Sequence, residues 1–347
     1  MTQSLPVVLN AQETNLVLGH RVRALEYAAL GSVRRLFRLA ELSTHAAARA
    51  LAHRTRVTRN VPYLGTGHRA HLLDIYRPVE VAHHERRPVV MYVHGGGFEV
   101  CSKDTHWMMA HAYANAGYVV FNVNYRLAPK HAFPRPLEDV CAAYLWLLDN
   151  AARFGGDPAR IVLAGESAGA NLVSSLALVN SIERHEPWAR AVYRRRRPPS
   201  AVVAACGLFD VQQPHRFRHL AHRSWAITKH AIEQVSRAYV PHAATSHDEH
   251  DLASPLALLE QKRALHRPLP PFFVPCGTHD PLLDDSRRLA SALSRRGVEH
   301  EARYYAGEIH AFHAMWWRAA ARRCWRDTLT FLRDRLAEQE RVPRVAA

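Results

Sequence analysis

From residue 57 onward, short apolar runs alternate with stretches whose apolar positions recur near every 3.6 residues. Pro88–Val93, Ile161–Ala164, Ala201–Cys206 and Pro271–Cys276 are continuous apolar runs, and Tyr118–Asn124 is apolar but for its two asparagines. Runs of that length predict strands buried on both faces, as in a parallel sheet. Val57–Leu64, the turn Gly65-Thr66-Gly67 and His71–Tyr76 predict a strand, a turn and a second strand, and Glu301–Tyr305 predicts the last one. Helical periodicity falls between them, at Thr105–Ala116, Leu137–Asn150, Asn171–Leu178, Leu283–Arg296 and Ala319–Glu340. About eight strands interleaved with helices define an α/β fold with a mostly parallel sheet.

Three stretches break the alternation. Residues 1–56 have no proline from Leu16 to Ala52, and arginines interrupt their apolar positions. They predict helices packed on the protein itself, with a membrane-surface anchor as the less favoured reading. Residues 183–200 are polar, basic and proline-terminated, and are expected to be a surface insertion. Residues 207–250 hold one helical pattern, Thr228–Val240, ended by Pro241 and a polar His/Asp/Glu loop. They read as an insertion covering something. The expected organisation is therefore a helical segment (1–56), a first core part (57–206), an insertion (207–250) and a second core part (251–347).

Composition narrows the function classes. The chain has 347 residues, 48% of them hydrophobic, which is enough for one large core. Its formal charge of +15 comes almost wholly from arginine and is dispersed, apart from Arg194-Arg195-Arg196-Arg197. Without an accompanying nucleic-acid motif, that run reads as solvated and no nucleic-acid partner is expected. Five cysteines with no C-x-x-C spacing predict reduced, mostly buried thiols in a cytoplasmic protein. His215, His219 and His222 share a helical spacing, but nothing completes a ligand set, so no metal is expected. Neither an 18-residue apolar stretch nor a secretory signal is visible.

The candidate chemistry centres on Gly165-Glu166-Ser167-Ala168-Gly169, between an apolar strand and a helix. A serine at such a turn, with glycine two residues to either side, is raised clear of the backbone at a helix N-terminus. A serine hydroxyl needs a base and an orienting acid. Asp280 and His310 follow the last two predicted strands, in the order Ser, Asp, His. Asp284, Asp285 and His313 are nearby rivals. The run His94-Gly95-Gly96-Gly97-Phe98 follows a buried strand and lacks the Lys-Ser/Thr of a phosphate loop. Its backbone N–H groups, with that of Ala168, suit an oxyanion; Gly96 and Gly97 are the preferred donors. Phe98, Trp107, Phe209, Trp225 and Tyr239 are candidate pocket aromatics.

Taken in order, His94–Phe98, Tyr125-Arg126-Leu127-Ala128-Pro129, Phe133-Pro134 with Leu137-Glu138-Asp139, Gly156-Asp157-Pro158, Gly165–Leu172, Asp280-Pro281-Leu282 and His310-Ala311-Phe312 resemble the hormone-sensitive-lipase family of α/β-hydrolases (bacterial lipolytic family IV). The resemblance covers roughly residues 57–320. It implies an eight-stranded α/β-hydrolase core with a helical cap from residues 1–56 and 207–250. It also implies cofactor-free ester hydrolysis through an acyl-serine, on short-to-medium acyl chains, with His94 bracing the oxyanion loop. The expected partner is a small-molecule ester, and the expected assembly a monomer or homodimer. Three positions depart from the family pattern: Glu166 for a commoner aspartate, and Cys101 and Ala311 for commoner glycines. The same groups would serve an amide, lactone or carbamate. A non-catalytic receptor on this fold is the alternative from another class.

Overall fold

The apolar runs assemble into one eight-stranded sheet in the order β1-β2-β4-β3-β5-β6-β7-β8. The computed structural model describes residues 54–79, 86–219, 226–240, 248–261 and 263–341. The expectations for residues 1–53, for His222 and Trp225, and for most of the polar loop after Pro241 lie outside them. The strands are β1 Thr55–Pro62, β2 Leu72–Pro78, β3 Arg87–Val93, β4 Val119–Val123, β5 Gly156–Glu166, β6 Ala201–Ala205, β7 Phe272–Gly277 and β8 His300–Tyr305. β2 runs antiparallel to both β1 and β4, and every pair from β4 across to β8 is parallel.

Eight helices lie among the described residues: α1 Trp107–Asn115, α2 Arg135–Asn150, α3 Ala168–Ser181, α4 Pro187–Arg194, α5 Ala226–Tyr239, α6 Pro255–Glu260, α7 Leu283–Arg295 and α8 Ala319–Arg341. β4, β6 and β7 are buried along their length, and β3 and β5 are buried over Val89–Val93 and Ile161–Glu166, because helices cover both faces. One apolar cluster contains α2, α3 and one face of β3–β6, with Leu137, Leu147, Leu172 and Leu163 fully buried. The other joins α1 and α8 to the opposite face through Tyr113, Val90, Phe273 and Leu332.

Two segments differ from the sequence reading. β5 begins at Gly156, within the expected Gly155-Gly156-Asp157-Pro158 turn, because Gly156 already pairs with Arg87 before an irregularity restores the ladder at Val89. Residues 183–200 are not simply an exposed insertion. Arg184 is buried, its guanidinium held by Glu186 and Asp251, and α4 packs Ala189 and Val192 into the core. The arginine run after it is exposed, with Arg195 paired to Asp149.

Parallel pairing brings the C-terminal ends of β3, β5, β6, β7 and β8 to one edge of the sheet. Every candidate catalytic group leaves the chain just beyond that edge, where open α/β sheets place their ligands.

Candidate active site

Ser167 immediately follows β5 and begins the turn into α3. Its backbone sits at φ 53°, ψ −119°, a conformation costing about 1–3 kcal/mol for a residue with a side chain. The surroundings leave no alternative. A Cβ on Gly169 would lie 2.0 Å from the Val93 carbonyl, and one on Gly165 would lie 2.6 Å from the Gly169 backbone. The Ser167 N–H donates to the Ala205 carbonyl at 2.9 Å, anchoring the turn to β6. Ala168 opens α3, so its N–H has no acceptor within the helix and is available to an anion beside Ser167.

The His94–Phe98 loop turns at the end of β3 against this elbow. Gly95 approaches Glu166 and Ser167 so closely that a Cβ there would meet the Glu166 carbonyl at 3.0 Å and the Ser167 Cβ at 3.3 Å. The His94 Nδ1–H donates to the Gly95 carbonyl at 2.7 Å. Its ring stacks on Tyr125, centroids 4.3 Å apart. Burial and the neighbouring His106 push the His94 pKa down to about 3, so the ring is neutral. The N–H groups of Glu99 and Val100 both donate to the Gly96 carbonyl, closing the loop.

Asp280 and His310 sit beyond β7 and β8, and their loops are tied together. The N–H of Thr278 donates to the Tyr305 carbonyl and that of His279 to the Glu308 carbonyl, each at 2.9 Å. Gly277 makes this approach feasible, since a Cβ there would lie 2.1 Å from the Glu308 carbonyl. The His310 Nδ1–H donates to Asp280 Oδ2 at 2.9 Å, and Asp280 Oδ1 accepts the Leu282 N–H at 2.8 Å. Asp280 is buried, while the His310 side chain keeps about a third of its surface exposed. Burial alone would lower the His310 pKa. The charge and hydrogen bond of Asp280, with a contribution from Glu166, outweigh burial and raise it above 6.5.

Ser167, His310 and Gly97 line one cavity of about 390 Å³, with Leu208, Ile232, Val235, Pro281, Leu282 and Ile309 among its other walls. The four described aromatics expected there stand elsewhere. Phe98 and Tyr239 are fully buried and stacked on each other at 3.7 Å, pinning α5 to the oxyanion loop. Phe209 is buried in the core and Trp107 packs beside His111 in α1. The wall is aliphatic, contributed largely by α5 and by residues adjoining Asp280 and His310. The three-residue spacing of Ile232 and Val235, on one face of α5, was the available signal for them.

Of the rivals, Asp284 is exposed on α7, and the other two have partners of their own. Asp285 is buried and holds the Arg216 guanidinium and the Phe209 N–H. His313 Nε2 lies 2.7 Å from Glu166 Oε2. Cys206, Asp280 and His310 form the one cluster of metal-binding type among the described residues, and there Asp280 and His310 already bond each other. All five cysteines are free.

A mostly parallel sheet with this strand order, a strained serine after β5 and an Asp–His pair after β7 and β8 define an α/β-hydrolase. The alpha/beta hydrolase fold family profile matches residues 90–314. The chain is 34% identical to carboxylesterase NlhH of Mycobacterium tuberculosis over 226 residues, 65% of this chain and 66% of that protein. It thus spans just under two thirds of that relative's length. A hyperthermophilic esterase from the archaeon Pyrobaculum calidifontis superposes with a TM-score of 0.68 at 27% identity, covering 87% of this chain and 92% of that one. An esterase from the bacterial hormone-sensitive lipase family superposes at 0.67 with 26% identity, covering 87% and 90%. The chain belongs to the α/β-hydrolase family, in its hormone-sensitive-lipase-like branch.

Proposed function

We propose that this protein is a serine carboxylesterase acting on short-to-medium acyl esters. The observation that carries the reading is the His310–Asp280 hydrogen bond on the wall of the cavity that Ser167 enters from its strained turn. With Nδ1 committed to Asp280, His310 has Nε2 left to take the Ser167 proton. Ser167 Oγ attacks the ester carbonyl carbon, and the oxyanion is met by the N–H groups of Ala168, Gly96 and Gly97. His310 then gives its proton to the leaving alcohol. Water, deprotonated by His310 in turn, attacks the acyl-serine and releases the acid.

Its aliphatic lining supports the acyl-chain preference, because such walls favour an apolar chain and the volume is modest. Ile232 and Val235 of α5 support reading residues 207–250 as part of a cap, to which residues 1–56 are assigned by the family resemblance. The free cysteines fit a reducing compartment, and we assign the enzyme to the cytoplasm as a monomer or homodimer with no nucleic-acid partner. Among the described residues, no helix is long and apolar enough to cross a membrane.

Hydrolysis of p-nitrophenyl esters from acetyl to palmitoyl tests the reading, with Ser167→Ala protein beside the wild type. Serine-dependent turnover that peaks at short or medium chains is expected. Turnover surviving in Ser167→Ala, or none in the folded wild type, would remove it.

A further inference from the structure

Glu166 precedes the nucleophile, yet its side chain points away from the substrate cavity into the protein, between two histidines far apart in sequence. His106 Nε2 bonds Glu166 Oε1 at 2.7 Å and His313 Nε2 meets Oε2 at 2.7 Å. All three side chains are buried, and none lines the cavity. His106 ends the oxyanion loop at the start of α1. His313 belongs to the single turn Phe312–Ala314, three residues past His310. Gly95 packs on the Glu166 side chain and carbonyl. The Glu166 carboxylate is thus joined through His106 to the start of α1 and through His313 to the turn that follows His310, while Gly95 of the oxyanion loop packs on the rest of the residue and Ser167 follows it in the chain.

We propose that Glu166 and His313 are positioning residues: through His313, the Glu166 carboxylate holds the turn that follows His310, and with it His310, in fixed register with the nucleophile and the oxyanion loop. The proposal rests on His310 being the base. The side chain length fits the task. The commoner aspartate is one methylene shorter and could not hold both imidazoles from the same backbone position, so glutamate here and His313 form a matched pair. Burial would favour the neutral acid. The two imidazoles outweigh it and hold the Glu166 carboxyl well below the usual range, so the clamp is charged. Around it, the groups that share its field are His310, His94, Cys206, Tyr92, Tyr113 and Tyr125.

Steady-state kinetics on a short-chain p-nitrophenyl ester tests this in the full chain, with thermal melts to confirm folding. His313→Ala is expected to lower kcat about 100-fold, the scale of a misplaced catalytic group, with KM changed less than about threefold. His313→Gln, which can still donate to Glu166, should recover most of that loss. In a His310→Ala background, His313→Ala should cost nothing further, because there is no base left to position. Glu166→Asp keeps the charge and serves if His313→Ala does not fold; it too should lower kcat at little changed KM. A kcat within about threefold of wild type in both variants, a loss that His313→Gln fails to rescue, or an undiminished loss in the His310→Ala background would each overturn the proposal. If His310→Ala itself retained wild-type kcat, the reading of His310 as base would fall instead, so the two failures are distinguishable.

Discussion

From Ile161 to Ile182, through β5, the elbow and α3, every residue is buried except Ser167. Across the cavity, α5 presents Ala231 to solvent, half-buries Val235 and buries Ile232. The elbow is held by backbone: glycines that no other residue can replace and main-chain bonds to β6. The wall is held by side chains that meet through aliphatic contact, with Tyr239 at the end of α5 stacked on Phe98 and accepting the Phe133 N–H. Chemistry needs atoms fixed to fractions of an ångström, whereas acyl selection needs a volume. The two regions differ in how far a substitution should propagate.

Changes at the elbow and its partners should be the most severe. Ser167→Ala is expected to lower kcat by at least about 10⁴-fold with the melting temperature retained, since alanine keeps the same backbone strain and the fold is unaltered. Asp280→Asn should cost about 10⁴-fold, because His310 loses the acceptor that sets its tautomer. Asp280 also fixes the pH dependence. Protonated His310 cannot accept the serine proton, so kcat/KM should rise with pH through a value above 6.5. Asp280→Asn should shift that limb downward, read from a pH–rate profile. On the wall, Ile232→Ala should change acyl preference rather than rate. About a tenfold shift toward longer p-nitrophenyl esters in relative kcat/KM is expected, the worth of one or two methylenes. Smallest of all, Ala311→Gly relieves a φ of 54° beside His310 and should raise stability by about 1 kcal/mol in urea melts. A wall substitution that abolished turnover at every chain length would erase the distinction between the regions.

Much of the fold is legible in the residue pattern, since strands buried on both faces must be continuous apolar runs. Their boundaries lie within a few residues of those expected, save for the early start of β5. Cys101 and Ala311, noted as replacing commoner glycines, adopt φ of 73° and 54°, so those backbone positions keep the left-handed geometry without glycine. The elbow and the Asp280–His310 placement are legible because each follows a strand end. What escapes the pattern is whatever depends on contacts between distant segments. Arg184 lies inside a stretch that reads as polar surface, yet it is buried against Asp251 from a distant segment. The aliphatic wall was expected to be aromatic, but packing drew Phe98 and Tyr239 onto each other. Glu166 reads as a simple variation of the motif, and only folding brings His106 and His313 to its two oxygens.

The most direct test of the central claim is mass-spectrometric mapping of the protein after reaction with a fluorophosphonate that mimics the tetrahedral ester intermediate. One covalent adduct is expected, on the peptide containing Ser167, formed at a rate that falls steeply in His310→Ala. An adduct on another residue, or ester turnover that continues while Ser167 is left unmodified, would contradict the account.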